Sequence, residues 1–443
     1  MKRLLSFETT HCIADRRSPS PRSALATIAL ASVLGLAVFC GASAQDATPD
    51  RIKAVTSKVD SDFIKANAAT SKDWPTIGLD YAETRFSKLN QINAGNVKDL
   101  GLVWSYNLES SRGVEATPVV VDGIMYQTAS WSLVHAIDAR SGKKLWSFDP
   151  GVDRSKGYKG CCDVVNRGVA VYKGKVFVAA YDGRLIALDA RTGKPCADFG
   201  NGGEIKIDAG IKLEWPGEFQ ITSAPVTGRG VVVVGSAIGD NRRVDAPVGA
   251  VRAFDARTGQ PRWTFDPLVH SGIEAGHSNV WAPMSVDEER GLVFLPTTSP
   301  SPDFWGGKRP GNDEHANSVV ALRIETGELA WAFQTVHHDV WDYDLPAQPT
   351  LARIDTGDGM RDVVIQPTKQ GFVFVLDRDT GKPVWPVEER AVPQNGAEGE
   401  QLSPTQPFPT HVPPLLTQRM TADDIGGLLP GLGSAACEKL LAQ

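Results

Sequence analysis

Apolar residues along this chain fall in short runs, and glycine-containing polar pairs separate them. In the stretch GVAVYKGKVFVAAYDGRLIALD (168–189), Lys173-Gly174 and Asp182-Gly183 divide three such runs. Short apolar runs between turn signals are typical of β-strands, and Lys-Gly or Asp-Gly pairs favour tight hairpin turns. The pattern therefore predicts a chain of short antiparallel strands.

One motif recurs within this pattern: an apolar run, then Asp-x-x-Thr-Gly or a close variant, then a short run ending in tryptophan. Five copies occur, four of them with the tryptophan, at residues 136–146, 187–197, 253–263, 321–331 and 375–385. The glycine supplies a positive φ, Asp or Thr bonds back to the turn amides, and tryptophan fills the gap between neighbouring sheets. Four strands per unit, repeated radially, make a β-propeller, so the predicted fold class is all-β. A β-sandwich with coincidental turns is the alternative.

The first 44 residues differ from the rest. They combine a basic, polar lead, an apolar run over 24–39 and Ala42-Ser43-Ala44. This arrangement predicts a secretory signal with cleavage before Gln45, and hence an exported, periplasmic protein. An uncut membrane anchor is the alternative.

Composition and cysteine content narrow the possible functions. The chain has 443 residues and a formal net charge of −6, and no basic stripe stands out, which argues against nucleic acid as a partner. No C-x-x-C-H motif occurs, so the sequence encodes no attached c-type haem. An exported chain would keep four cysteines: Cys161, Cys162, Cys196 and Cys437. An oxidising compartment favours disulfides over free thiols. The adjacent pair fits two core residues, two ligands of a soft metal or a vicinal disulfide.

Several polar residues lie outside the repeat and are candidates for chemistry. Asp339, Asp342 and Asp344 crowd into FQTVHHDVWDYDLPAQP (333–349), and carboxylates suit a hard cation such as Ca²⁺. His337 and His338 would alternate faces in an extended chain, which disfavours a transition-metal site on that pair. The others are Glu115, Arg167, Thr222, Asp240, Trp281 and Lys369. Taken singly, each of these fits a surface charge, a turn cap or a core aromatic.

Together and in this order, these residues resemble the pyrroloquinoline quinone (PQQ)-dependent dehydrogenases of the bacterial periplasm, which are eight-bladed propellers. The resemblance begins near Trp74 and runs to the C-terminus; its first half is similar to the alcohol dehydrogenase branch and its second half to the glucose dehydrogenase branch. The most specific features are the adjacent cysteines followed by Arg167, and the H-H-D-x-W-D motif.

The resemblance implies a role for each candidate. Cys161 and Cys162 match a vicinal disulfide against one face of the quinone, and Trp281 matches the tryptophan on the opposite face. Glu115, Arg167 and Thr222 match residues that hydrogen-bond the cofactor, and Lys369 matches the basic residue at its reactive oxygens. Asp240 matches a Ca²⁺ ligand, and Asp342 matches the general base close to the metal. Where the alcohol branch has an asparagine ligand, this chain reads TTSPSPDFWGG (297–307), so a serine, a threonine or a backbone carbonyl is expected there.

These inferences combine into one expectation. Residues 1–44 form a signal peptide, and 45–443 form a propeller expected to lack its final blades. The function expected is oxidation of a sugar, polyol or alcohol hydroxyl with PQQ and Ca²⁺, the electrons passing to ubiquinone or cytochrome c, with at most peripheral membrane association. A non-catalytic propeller scaffold of the cell envelope and an inactive truncated quinoprotein are the alternatives.

Overall fold

The computed structural model describes residues 46–239, 242–269 and 275–419. Two short helices, α1 (Pro49–Thr56) and α2 (Ser61–Ala68), come before the strands. The side chains of Thr48 and Asp60 cap them by accepting from free amides of the first turns, as helix N-termini require. Three short 3₁₀ helices lie further along the chain, at Val97–Asp99, Ser130–Ser132 and Arg154–Lys159.

Within these ranges the strands form four sheets of four, one of three and two of two, and all pairs between strands are antiparallel. The first two four-stranded sheets contain β1 (Val119–Val121), β2 (Ile124–Thr128), β3 (Val134–Asp138) and β4 (Lys144–Phe148), then β5 (Ala170–Tyr172), β6 (Lys175–Ala179), β7 (Arg184–Asp189) and β8 (Glu204–Lys206).

The third and fourth four-stranded sheets contain β10 (Val226–Gly228), β11 (Val231–Val234), β13 (Val251–Asp255) and β14 (Pro261–Phe265), then β15 (Ser285–Asp287), β16 (Leu292–Pro296), β17 (Ser318–Arg323) and β18 (Leu329–Gln334). The smaller sheets are β9 (Phe219–Gln220) with β12 (Ala237–Ile238), β19 (Thr350–Asp355) with β20 (Met360–Pro367) and β21 (Val373–Asp377), and β22 (Val387–Ala391) with β23 (Thr405–Pro409).

The hydrophobic core lies between successive sheets. On β11, Val232 and Val234 pack toward the preceding sheet, whereas Val231 and Val233 pack toward the following one. The same split occurs on β16, where Leu292 and Phe294 belong to a different cluster from Val293 and Leu295. Alternate residues of a strand face opposite sides, so each of these sheets is buried on both faces, as in a row of propeller blades.

The recurring tryptophans join neighbouring sheets. Trp263 Nε1 donates to the Ile324 carbonyl at 2.8 Å, and its ring lies against Gly327, where an added Cβ would come within 2.7 Å. Gly327 has a φ of +75°. Three other tryptophans make the same two contacts, an indole hydrogen bond to a carbonyl and a ring packed on a glycine, each with the turn of the next copy of the motif: Trp104, Trp146 and Trp331. The motif therefore encodes both a turn and the contact that holds one sheet to the next.

The second copy of the motif, which lacks tryptophan, uses a different contact. There the turn glycine of the next unit, Gly259, lies against the backbone of Gly200. The predicted bonds within the turns are present; Asp255 Oδ1, for example, accepts from the amide and the hydroxyl of Thr258, both at 2.9 Å.

Candidate functional site

A cavity of about 220 Å³ lies where loops from successive sheets meet. This is more than ten times the roughly 10–15 Å³ that a cavity needs in order to hold one water molecule, so the cavity has room for a multi-atom ligand. Seven of the residues singled out in the sequence line it: Cys161, Cys162, Arg167, Thr222, Trp281, Asp342 and Lys369.

These seven residues come from five separate segments. The cysteines and Arg167 lie between β4 and β5, Thr222 follows β9, and Trp281 precedes β15. Asp342 lies between β18 and β19, and Lys369 lies in the turn from β20 to β21. Binding sites built from loops on a rigid β framework are a common arrangement.

Cys161 and Cys162 are joined to each other as a disulfide that lines the cavity. Asp163, which follows them, has a φ of +70° and forms an ion pair with Arg112. Of the three interpretations that the sequence left open for the adjacent cysteines, the structure has the vicinal disulfide. Among the described residues Cys196 has no disulfide partner; its thiol is half-buried, and burial raises its pKa to about 11.

Arg167 connects Glu115 to the indole of Trp281. Its Nη2 lies 2.8 Å from Glu115 Oε2, and its Cζ lies 4.8 Å from the centre of the Trp281 ring. Burial lowers the pKa of Arg167, although the charge of Glu115 opposes this effect. Thr222 is buried, and its carbonyl accepts from the Arg167 amide at 3.0 Å. Glu115 does not line the cavity itself; it contacts Arg167, which does.

Asp342, Asp344 and Lys369 form the charged part of the cavity. Lys369 Nζ donates to Asp342 Oδ1 at 3.0 Å and to the Asp342 carbonyl at 2.7 Å, and lies 3.4 Å from Asp344 Oδ2. Burial and the charge of Asp344 raise the pKa of Asp342 to about 6, with Lys369 acting in the opposite direction. A carboxylate with this pKa is a stronger base than an ordinary aspartate and remains mostly ionised at neutral pH.

The other polar residues of the H-H-D-x-W-D motif make contacts within the loop and with neighbouring segments. Asp339 is buried and accepts from the Tyr343 amide at 2.6 Å and from the Trp341 amide at 3.0 Å. His337 contacts Gln334 and Glu389, whereas His338 contacts the Gly311 carbonyl. The two histidines thus have separate partners, and neither lines the cavity.

Sequence reasoning gave no role to three further cavity residues, His277, Asn279 and Asp303, and gave Asp344 only as one of three clustered carboxylates. His277 Nδ1 lies 3.5 Å from Asp303 Oδ1, and both side chains are buried. Asp303 belongs to the stretch TTSPSPDFWGG, for which only hydroxyl and carbonyl oxygens were expected as metal ligands. The acidic residue in that stretch was the sequence feature that could have indicated a further carboxylate in the cavity.

The predicted metal ligands have different outcomes. Asp342 lines the cavity with three more carboxylates, Asp163, Asp303 and Asp344, while Asp240 lies outside the described residues. In the part of the chain that the structure describes, no group of three or more His, Cys, Asp or Glu side chains is placed to hold a metal ion. Such a group is therefore not among the described residues, and the second predicted ligand, Asp240, lies outside them.

Part of the cavity lining suits a flat ligand that carries carboxylates. A disulfide and an indole line it, and Arg167 and Lys369 supply cations. Guanidinium and ammonium groups form strong, charge-assisted bonds to carboxylates. Glu115 forms an ion pair with Arg167, and Asp342 and Asp344 lie beside Lys369.

Comparison with known proteins agrees with this geometry. Residues 74–443 match the sequence profile of the PQQ family, described as glucose/ethanol/alcohol dehydrogenase, β-propeller domain. The quinohemoprotein alcohol dehydrogenase of Comamonas testosteroni is 44% identical over 398 residues, which are 84% of this chain and 53% of that protein. The quinoprotein glucose dehydrogenase of Escherichia coli (strain K12) is 34% identical over 427 residues, 89% of this chain and 53% of that protein.

Solved structures show the same likeness. The crystal structure of the Comamonas testosteroni enzyme superposes with a TM-score of 0.71 at 41% identity, covering 86% of this chain and 56% of that one. The chain thus spans about half the length of the curated relatives it matches. The predicted all-β propeller fold is confirmed. This chain belongs to the PQQ-dependent glucose/ethanol/alcohol dehydrogenase family and matches its β-propeller domain.

Proposed function

We propose that residues 45–443 form the quinone-binding propeller of an exported oxidoreductase, and that residues 1–44 are its signal peptide. The enzyme oxidises a hydroxyl group of a sugar, polyol or alcohol, with PQQ and Ca²⁺ as cofactors. One observation supports this proposal above the others: seven residues singled out from distant parts of the sequence line one cavity. An envelope scaffold has no need to assemble them there.

The chain's own residues would hold the quinone in distinct ways. The Cys161–Cys162 disulfide and the Trp281 indole supply rigid, flat surfaces. Arg167, kept in place by Glu115, and buried Thr222 supply hydrogen-bond donors for carboxylates and carbonyls. PQQ, when bound, supplies the two-electron acceptor for hydride from the substrate carbon.

Asp342 would take the proton of the substrate hydroxyl. Its raised pKa suits a general base, and Lys369 holds its Oδ1 at 3.0 Å and so fixes the carboxylate in the cavity. Lys369, which also lies within 3.4 Å of Asp344, remains cationic because both carboxylates raise its pKa against the effect of burial. A cation at this position would also contact the reactive oxygens of the quinone.

The proposal includes Ca²⁺ because the protein offers the donor atoms that this ion prefers. Asp342 and Asp240 are the protein ligands proposed for it, and carboxylate oxygen is the donor that Ca²⁺ prefers. No step above depends on the ion.

The names of the relatives support the proposed substrate class and a cytochrome acceptor. Those relatives are named quinohemoprotein alcohol dehydrogenase, quinoprotein glucose dehydrogenase and 1-butanol dehydrogenase (cytochrome c). We further propose ubiquinone as the alternative acceptor and, from the signal-like residues 1–44, a periplasmic location. No helix within the described ranges is long and apolar enough to cross a bilayer.

The proposal is tested with the exported chain, purified and supplied with PQQ and Ca²⁺. We expect dye reduction with glucose, ethanol or a polyol, and we expect Asp342→Asn to abolish turnover while the quinone absorbance stays with the protein. Turnover in Asp342→Asn would remove that residue as the base. Failure of the wild-type chain to bind PQQ would favour the scaffold or the inactive quinoprotein.

A further inference from the structure

Asp344 contacts three other parts of the cavity. Its Oδ2 accepts from Trp281 Nε1 at 2.9 Å, its Oδ1 accepts from the Ser299 amide at 2.8 Å, and Lys369 Nζ lies 3.4 Å from Oδ2. The Asp344 side chain is only 14% exposed. One carboxylate therefore joins the loops that carry Trp281 and Ser299 to the turn that carries Lys369.

The bond to the indole determines how Trp281 lies. The only polar atom of an indole ring is its N–H, which can only donate, so a fixed acceptor restricts rotation of the ring. Arg167 covers a face of the same ring, with its Cζ 4.8 Å from the ring centre. The edge of Trp281 is thus held by Asp344 while its face is contacted by Arg167.

Asp344 differs from the other carboxylates of its loop. Asp339 accepts from the Trp341 and Tyr343 amides of that loop, and also from the Ser299 hydroxyl and Asn317 Nδ2. Asp342 is held by Lys369 and supplies the proposed base. Asp344 is the carboxylate of this loop that accepts from the Trp281 indole, 63 positions away in the chain, and it also accepts from the Ser299 amide.

We propose that Asp344 is a positioning residue that sets the plane of Trp281 and the direction of the Lys369 side chain before any ligand arrives. Its part in quinone binding rests on the proposed function; its effect on the indole does not. Fixing a wall and a cation in advance reduces the entropy that binding would otherwise cost.

The test observes Trp281 directly, in the full chain without cofactor. The indole ¹H–¹⁵N signal of Trp281, identified among eleven tryptophans by its loss in Trp281→Phe, reports the bond to Asp344. Asp344→Ala should shift this signal and speed its hydrogen exchange about tenfold or more, because the charged acceptor is gone. Asp344→Asn keeps an acceptor oxygen and should restore most of the protection.

A second variant addresses the case in which Asp344→Ala folds poorly. Asp344→Glu keeps the charge and moves the carboxylate by one methylene group, so it should also shift the Trp281 signal. Asp163→Ala is the matched control, because Asp163 lines the same cavity but pairs with Arg112. That control should leave the Trp281 signal in place.

Quinone binding is measured in the same variants by equilibrium titration with PQQ. The dissociation constant should rise about tenfold in Asp344→Ala and less in Asp344→Asn. A Trp281 signal that stays unmoved in both Asp344→Ala and Asp344→Glu would overturn the positioning role. If the signal moves as expected but the wild type binds no PQQ, the positioning role stands and the proposed function fails.

Discussion

Replacing Arg167 with methionine removes the guanidinium that lies over the Trp281 ring and is paired with Glu115. Methionine is also long and unbranched, so the stem of the side chain is largely preserved. Glu115 is about half exposed and can be hydrated once its partner is lost, so the variant should fold with little loss of stability. The perturbation therefore acts mainly on binding of an anionic ligand.

The size of the effect follows from the burial of Arg167. Its side chain is 17% exposed, so its bonds to a bound carboxylate would form with little competition from water. A hydrogen bond to a charged group contributes about 1.5–3 kcal/mol. Its loss should weaken PQQ binding roughly 10- to 150-fold, since about 1.4 kcal/mol corresponds to a factor of ten.

The assay is equilibrium titration of PQQ against tryptophan fluorescence, with a melting curve for each protein. Arg154→Met is the matched control, because Arg154 Cζ also lies over a tryptophan, 4.9 Å from the Trp131 ring centre, but outside the cavity. The control should keep wild-type affinity. Equal affinities for Arg167→Met, Arg154→Met and the wild type would refute the assignment of Arg167.

Three further predictions concern other parts of the molecule. Cys161→Ala should weaken PQQ retention at an unchanged melting temperature, because the disulfide is a wall of the cavity; a parallel fall in melting temperature would make it structural. Gly327→Ala should lower stability by about 1–3 kcal/mol in a denaturant titration, since its Cβ would meet the Trp263 ring, whereas Gly357→Ala, with φ +92° and open space, should cost less. Burial would raise the pKa of Asp255, but bonds from Thr258 and Arg262 lower it to about 2. The stability lost in Asp255→Asn should accordingly be seen in melting curves at pH 7 and should shrink as the pH falls from 4 to 2; a difference independent of pH would contradict this.

The blade architecture was predictable because its determinants are local. The turn bonds of Asp255 reach only three residues along the chain, to Thr258. The tryptophan contact is longer in range, yet Trp263 and Gly327 occupy fixed places in successive copies of one motif. A repeated motif therefore predicted both the turns and the joins between sheets.

The cavity was predictable only in part. A resemblance to a known family singled out Cys161, Arg167 and Trp281, and the structure brings them together. The contacts of Asp344 could not be inferred from spacing, because they connect residues 45 and 63 positions apart. Asp240 lies outside the described residues, so its role stays a prediction.

The central claim is that a flat quinone lies between the Cys161–Cys162 disulfide and the indole of Trp281. A crystal structure of the full chain with bound PQQ tests it most directly. The account predicts the quinone rings between these two surfaces, with Arg167 and Lys369 at their edges and Asp342 beside the reactive carbonyl. Quinone density elsewhere on the propeller, with this cavity filled by water, would contradict it.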